Sequence, residues 1–149
     1  MKKVHIIGAT GHIGSYLCPK MIKLGYHVVG YSRGLSEPYE IFGEEYRNCL
    51  VKAERKEAIN MAIKAKADVI CDLIPYTLED VKYLCERIKS LPEGQRCRLI
   101  SIGSIWIYGI KNKCMISEED IREAVDEYGY NKKLIEEYLL AQHDEWGLK

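Results

Sequence analysis

Neither sign of charge predominates in this chain. Over 149 residues, 22 lysines and arginines balance 22 aspartates and glutamates, and no run of like charge extends beyond a few residues. Nucleic acid and anionic membrane surfaces are held by basic patches, so neither is expected as a partner. Long apolar stretches are also missing. Lys2 and Lys3 precede only Val4-His5-Ile6-Ile7, far short of a signal-peptide core, and nothing approaches the ~20 apolar residues of a membrane span. A cytosolic location is expected. The six cysteines, Cys18, Cys49, Cys71, Cys85, Cys97 and Cys114, form no CxxC pair, and the four histidines do not cluster with them. Reduced, buried thiols are therefore expected, and a metal site is not.

No internal repeat or low-complexity linker divides the chain. Its length suits one ordinary domain, here residues 1–149, and is too short for a cofactor domain plus a large substrate domain. Short β-branched runs alternate with segments of helical period, the pattern of a parallel sheet covered by helices on both faces. Five strands are expected, at residues 3–7, 27–31, 47–51, 69–73 and 98–102, with the third the weakest in pattern. Helices are expected at residues 13–24, where Ile13, Leu17, Met21 and Leu24 recur at helical spacing before Gly25, at 54–66, and from a capping-box-like Thr77-Leu78-Glu79-Asp80 to about residue 90. A Gly- and Pro-containing loop is expected at 34–43. A short acidic helix opening at Ser117-Glu118-Glu119-Asp120 and a longer one at 126–143 complete the reading. The fold class is thus α/β, a Rossmann-like doubly wound parallel sheet of about five strands.

Gly8, Gly11 and Gly14 stand at GxxGxxG spacing directly after the first strand and at the mouth of the first helix. Absent side chains let backbone N–H groups approach phosphate oxygens, and the helix N-terminus adds unpaired donors and partial positive charge. A dinucleotide pyrophosphate fits that context, with Thr10, His12 and Ile13 beside it. A plain tight turn would need the same glycines, but the order of strand, loop and helix favours the cofactor. At the end of the second strand an NAD-binding protein usually offers Asp or Glu to the ribose hydroxyls. This chain reads Ser32-Arg33 there. Loss of the acid and gain of a guanidinium suit a 2′-phosphate, so NADP is favoured over NAD.

Tyr128 and Lys132 lie four apart in Tyr128-Gly129-Tyr130-Asn131-Lys132 and project from one helix face. A lysine so placed favours the tyrosinate and can hold a nicotinamide ribose, leaving Tyr128 as general acid or base. Tyr16 and Lys20 share the spacing, but the second pair follows the fifth strand, whose C-terminal end faces the cofactor crevice. Ser104, just past that strand, could donate to a substrate carbonyl oxygen or could simply cap a turn.

These features together resemble the short-chain dehydrogenase/reductase superfamily, and within it the extended or atypical epimerase/dehydratase type. The resemblance covers nearly the whole chain and implies a catalytic set of Ser104, Tyr128 and Lys132. It also implies that Leu73, Ile74 and Tyr76 lie along the cofactor, with Gly8 to Gly14 as its loop and Glu136 as the acid that follows the YGxxK segment. The chain departs from the family pattern at two places. Gly103 replaces a small hydroxyl residue, and Lys52-Ala53-Glu54 stands where an Asp usually meets the adenine. The family also continues into a substrate-binding lobe beyond the Tyr/Lys helix.

The function expected is oxidation or reduction of a secondary alcohol or ketone, such as a nucleotide sugar, by exchange with NADP or NAD. The alternative is a non-catalytic NAD(P)-binding sensor or regulatory protein. The partner is a small-molecule substrate, and a sheet ending at the fifth strand would leave an edge that favours a homo-oligomer.

Overall fold

The computed structural model describes residues 1–35, 37–38, 43–111 and 115–149. In chain order the elements are β1 (Lys3–Ile7), α1 (His12–Lys23), β2 (His27–Ser32), α2 (Gly43–Cys49), β3 (Leu50–Lys52), α3 (Arg55–Lys64), β4 (Val69–Asp72), α4 (Leu78–Lys89), β5 (Arg98–Ser101) and α5 (Glu127–Trp146), with single 3-10 turns at Glu93–Gln95 and Ile105–Tyr108. The strands form one parallel sheet in the order β3-β2-β1-β4-β5.

The central strands β1, β2 and β4 are buried on both faces because helices cover both, whereas the edge strands β3 and β5 remain partly exposed. One face packs Ile7, Tyr31 and Ile70 against Ile59 of α3, Leu84 and Ile88 of α4 and Ile135 of α5. The other packs Val4, Ile6, Val28 and Cys71 against Cys18 of α1 and Tyr46 of α2. Each fully buried Ile or Leu contributes ~1.5–3 kcal/mol as an upper bound. The register pairs Ile7 with Tyr31 and with Asp72, Ser32 with Lys52, and Asp72 with Ser101. The carboxyl ends of all five strands therefore open on one edge of the sheet. Chain order reverses on either side of β1, and a crevice forms at that point.

The sequence reading needs two corrections. The third strand, expected at 47–51, begins at Leu50, because residues 43–49 coil into α2. Glu44 and Glu45 in its first turn and Arg47 in its last complement the helix dipole, and Tyr46 turns inward, its hydroxyl donating to the Ala9 carbonyl at 3.0 Å. The acidic helix expected from Ser117 is a single turn. Asp120 accepts from the Ser117 N–H at 2.7 Å, while Met115 and Ile121 on either side are exposed, so no apolar face exists to hold a helix. The loop expected at 34–43 falls partly outside the described residues, and Cys114 lies outside them. Cys18, Cys71, Cys85 and Cys97 are buried and unpaired, and Cys49 is half-buried.

Candidate active site

Gly8, Thr10 and Gly11 of the loop, Ser32 and Arg33 after β2, Glu54 and Arg55 at the head of α3, and Ile74, Tyr76 and Asp80 after β4 line a cleft of about 300 Å³. At Gly8 and Gly14 the glycine loop can hold nothing bulkier. Gly8 has φ +92° and accommodates the Ile74 side chain at 2.9 Å from where its Cβ would stand. A Cβ on Gly14 would lie 2.3 Å from the Gly8 carbonyl oxygen, so α1 starts in contact with the end of β1. Gly8 and Ala9 both donate to the Tyr31 carbonyl at 3.0 Å, and Gly11 donates back to Gly8 at 3.1 Å. No side chain caps α1, whose first turn also carries no acid. A helix N-terminus with bare backbone around it is a cradle for an anion. A dinucleotide's pyrophosphate fits these residues.

Beyond the loop, the Ser32 hydroxyl accepts from the Gly34 N–H at 3.2 Å and fixes the turn that carries Arg33. Lys52, the register partner of Ser32 on β3, runs its stem across Gly34. Two cations thus flank the Ser32 turn, and the second was not recognised from sequence.

On the other side of the crevice, Asp126 accepts from the Gly129 N–H at 2.7 Å and starts α5. Gly129 is obligatory, because a Cβ there would lie 2.6 Å from the Trp106 carbonyl oxygen; its absence lets α5 press against the turn at Ile105–Tyr108. Ser104 caps that turn, accepting from the Trp106 N–H at 3.3 Å. Lys132 is buried within α5, and its ammonium donates to the Ile102 carbonyl at 3.0 Å. The Tyr128 and Tyr76 rings flank that ammonium at 5.8 and 5.9 Å. Desolvation lowers the Lys132 pKa; Asp72 acts in the opposite sense and Arg55 in the same. Tyr128 itself is 40 % exposed and open to a ligand.

The largest electrostatic feature of the cleft escaped the sequence reading. Arg55 forms a bidentate ion pair with Asp72, a carboxylate that is 1 % exposed. Its Nε stands 3.4 Å from Asp80 Oδ1, an ion-pair distance without hydrogen-bond alignment. Asp80 in turn closes the capping box of α4 with Thr77. Burial opposes the Arg55 charge, but the Asp72 hydrogen bonds and the charges of both acids raise its pKa overall. The guanidinium thereby clamps residues 72–80, the segment that presents Ile74 and Tyr76 to the cleft. The signal was a lone aspartate in an otherwise apolar central strand.

Of the residues singled out from sequence, Gly8, Thr10, Gly11, Ser32, Arg33, Ile74 and Tyr76 line the one cleft. His12 and Ile13 project outward from the first turn of α1, Gly14 lies beneath the loop, and Leu73 packs on the Gly8 side. Tyr128 and Lys132 stand together on α5, Ser104 caps the turn at Ile105–Tyr108 against which α5 packs, and Lys132 reaches the cleft wall through Tyr76. Glu136 pairs with Arg122 at 2.7 Å. Among the described residues no group of three or more His, Cys, Asp or Glu could hold a metal ion, and no helix is long and apolar enough to cross a membrane.

Five parallel strands with helices on both faces and a glycine loop at the reversal of strand order define a Rossmann-like α/β fold. The chain belongs to the NAD dependent epimerase/dehydratase family, whose model matches residues 4–149. No curated protein matches it. Among solved structures it is similar to UDP-glucose 4-epimerase from Brucella ovis in complex with NAD, with a TM-score of 0.79 and 17 % identity, covering 100 % of this chain and 50 % of that one. It is similar also to dTDP-glucose 4,6-dehydratase from Bacillus anthracis in complex with NAD, with a TM-score of 0.81 and 17 % identity over 99 % and 52 % of the two chains. UDP-glucuronic acid 4-epimerase from Bacillus cereus in complex with NAD gives a TM-score of 0.78 and 22 % identity over 98 % and 53 %. The chain spans about half the length of these structures, and the likeness is one of fold.

Proposed function

We propose that this chain binds NADP, or NAD, in the cleft above its glycine loop and supplies the proton-transfer groups for oxidation or reduction of a secondary alcohol or ketone, with a nucleotide sugar as the substrate class. The single observation that carries this reading is Lys132, a buried ammonium tied to the end of β5 and flanked by Tyr128 on the same helix face, beside the cleft. A bound nicotinamide would exchange the hydride. Gly8, Thr10, Gly11 and the N-terminus of α1 would hold the pyrophosphate, with His12, Ile13 and Gly14 forming the first turn of that helix. Leu73, Ile74 and Tyr76 would lie along the ligand. Ser32, Arg33 and Lys52 favour a 2′-phosphate, which gives NADP the preference.

Tyr128 moves the proton at its hydroxyl, and Ser104 donates to the substrate oxygen. Lys132 keeps positive charge next to Tyr128, and its anchorage on the Ile102 carbonyl fixes that charge in place. A small-molecule partner suits a chain whose charges balance.

Calorimetric titration of the purified chain with NADP and with NAD, repeated on Gly11→Asp, tests the site. Binding that the carboxylate abolishes supports it. No binding of either cofactor removes the whole reading. Turnover of a UDP- or dTDP-sugar that disappears in Tyr128→Phe supports catalysis, whereas binding with no turnover identifies a cofactor-binding sensor or regulatory protein instead.

A further inference from the structure

The cleft above the glycine loop ends at Tyr76. On the β4 side its lining takes in Ile74, Tyr76 and Asp80, whereas Lys132 and Tyr128 stand outside it. The Tyr76 ring belongs to both regions, since it lines the cleft and lies 5.9 Å from the Lys132 ammonium. Lys132 is only 3 % exposed, so the ammonium is covered. A ligand reaching from the glycine loop to Lys132 has to pass this ring.

The groups around the ammonium differ in how firmly they are held. The Ile102 carbonyl accepts from it at 3.0 Å, and the Ile102 N–H donates to the Asp72 carbonyl at 3.2 Å, so that acceptor is tied into the sheet. Tyr128 sits in the first turn of α5, where its neighbour Gly129 is pressed against the Trp106 carbonyl. Tyr76 stands in the segment between β4 and α4. Its backbone is fixed, because its N–H donates to Asp80 Oδ2 at 3.3 Å and Pro75 before it is buried. Its ring is 57 % exposed, and its hydroxyl makes no hydrogen bond among the described residues. Rotation about χ1 therefore gives up the contact with the ammonium and leaves the backbone where it is. A ring face holds an ammonium weakly, whereas a ribose hydroxyl offers it a charge-assisted hydrogen bond.

We propose that the Tyr76 ring is a movable partition between the cleft and Lys132, turned aside by a dinucleotide whose far ribose takes its place on the ammonium. The identity of that ligand rests on the cofactor reading above; the cover over Lys132 does not. Tyr76 is thus a positioning residue, acting through the access it gives to Lys132 and Tyr128. A ligand that ends at the adenosine half fills the cleft and leaves the ring in place. The whole dinucleotide displaces it, so the proton-transfer groups are opened by the molecule that carries the hydride and by no fragment of it.

The test acetylates the purified chain with an N-hydroxysuccinimide ester, with no ligand added, and follows each lysine by peptide mass spectrometry. The exposed Lys64 and Lys66 serve as references. Lys132 should react slowly in the parent and in Tyr76→Phe, which keeps the ring. In Tyr76→Ala it should react at least fivefold faster while the reference rates stay the same. Equal Lys132 rates in the parent and Tyr76→Ala, or a Tyr76→Phe that matches the alanine variant, would overturn the proposal. Calorimetry then compares NADP with adenosine 2′,5′-bisphosphate, which carries the 2′-phosphate and lacks the far ribose. Tyr76→Ala should bind NADP at least threefold more tightly, with the Kd for the bisphosphate changed less than twofold. Equal changes for both ligands would make the ring a plain wall of the cleft and overturn the partition. Failure of the parent to bind either ligand would count against the proposed function and leave the acetylation rates to decide this one.

Discussion

Replacing Arg55 with methionine keeps most of the side-chain stem and removes the guanidinium that neutralises Asp72. The carboxylate it leaves behind is 1 % exposed, with the Ile74 N–H at 3.4 Å as its remaining donor. Breaking a buried pair from one side costs about 3–5 kcal/mol, because a desolvated charge is stranded. For a domain of this size the melting temperature falls by roughly 2–4 °C per kcal/mol, so Arg55→Met should melt roughly 6–20 °C lower. Urea unfolding followed by circular dichroism should show the midpoint falling with little change in slope. Adding Asp72→Asn removes the stranded charge, and the double variant should recover at least ~1.5 kcal/mol of the loss, a coupling of the size expected for residues in direct contact. The double variant should still bind cofactor more weakly than the parent, since Asp80 and the Ile74 carbonyl lose their shared tether. A loss below ~1 kcal/mol for Arg55→Met, or a double variant less stable than the sum of the singles, would refute the clamp.

The two glycines of the loop should separate fold from binding. Gly11 has φ −75° and room for a side chain, so Gly11→Asp should melt within ~2 °C of the parent while losing cofactor. Gly14→Ala meets backbone at 2.3 Å and should destabilise the chain by ~1–3 kcal/mol as well as losing cofactor, both read by thermal melting and calorimetry. Tyr128→Phe should lower kcat at least ~100-fold with KM little changed, and an equal rise in KM would place the hydroxyl in binding. Burial, reinforced by His27 and Lys3, lowers the His5 pKa to about 4 from 6.5. Below 6.5 the unfolded chain therefore takes up a proton that the folded chain refuses. Stability should fall by up to about 3 kcal/mol as pH drops from 6.5 to 4, and His5→Gln should flatten that limb of a pH series of urea midpoints.

The parallel sheet was readable because its strands are short and rich in β-branched residues and its central ones are buried on both faces, and the turn residues at Gly25 and Thr77 mark helix ends by their own chemistry. The capping box at Thr77 forms as its residue types required. Helix α2 was not readable, since its seven residues carry one buried side chain, Tyr46, and a period cannot be seen in one residue. The single turn at Ser117 shows the converse: acidic residues in the right order start a helix only where an apolar face can hold it. In the cleft, the glycine loop and the Ser32-Arg33 turn were visible because they are contiguous. The Arg55–Asp72–Asp80 clamp was not, because its members are brought together from α3, β4 and α4 by the fold itself. Lys52 escaped for the same reason, since it stands beside Ser32 through strand register.

The reversal of chain order around β1 has a mechanical meaning. The cleft's walls come from residues before position 36, from the heads of α3 and α4 and from the segment that follows β4. A molecule spanning it works as a tie-rod across a seam, joining segments that lie far apart in the chain. Its binding free energy then reinforces the fold, by about 2.7 kcal/mol at a hundredfold excess over Kd. Susceptibility to proteolysis in the segments flanking the seam should accordingly track cofactor supply, making the lifetime of the chain a gauge of the nucleotide pool around it.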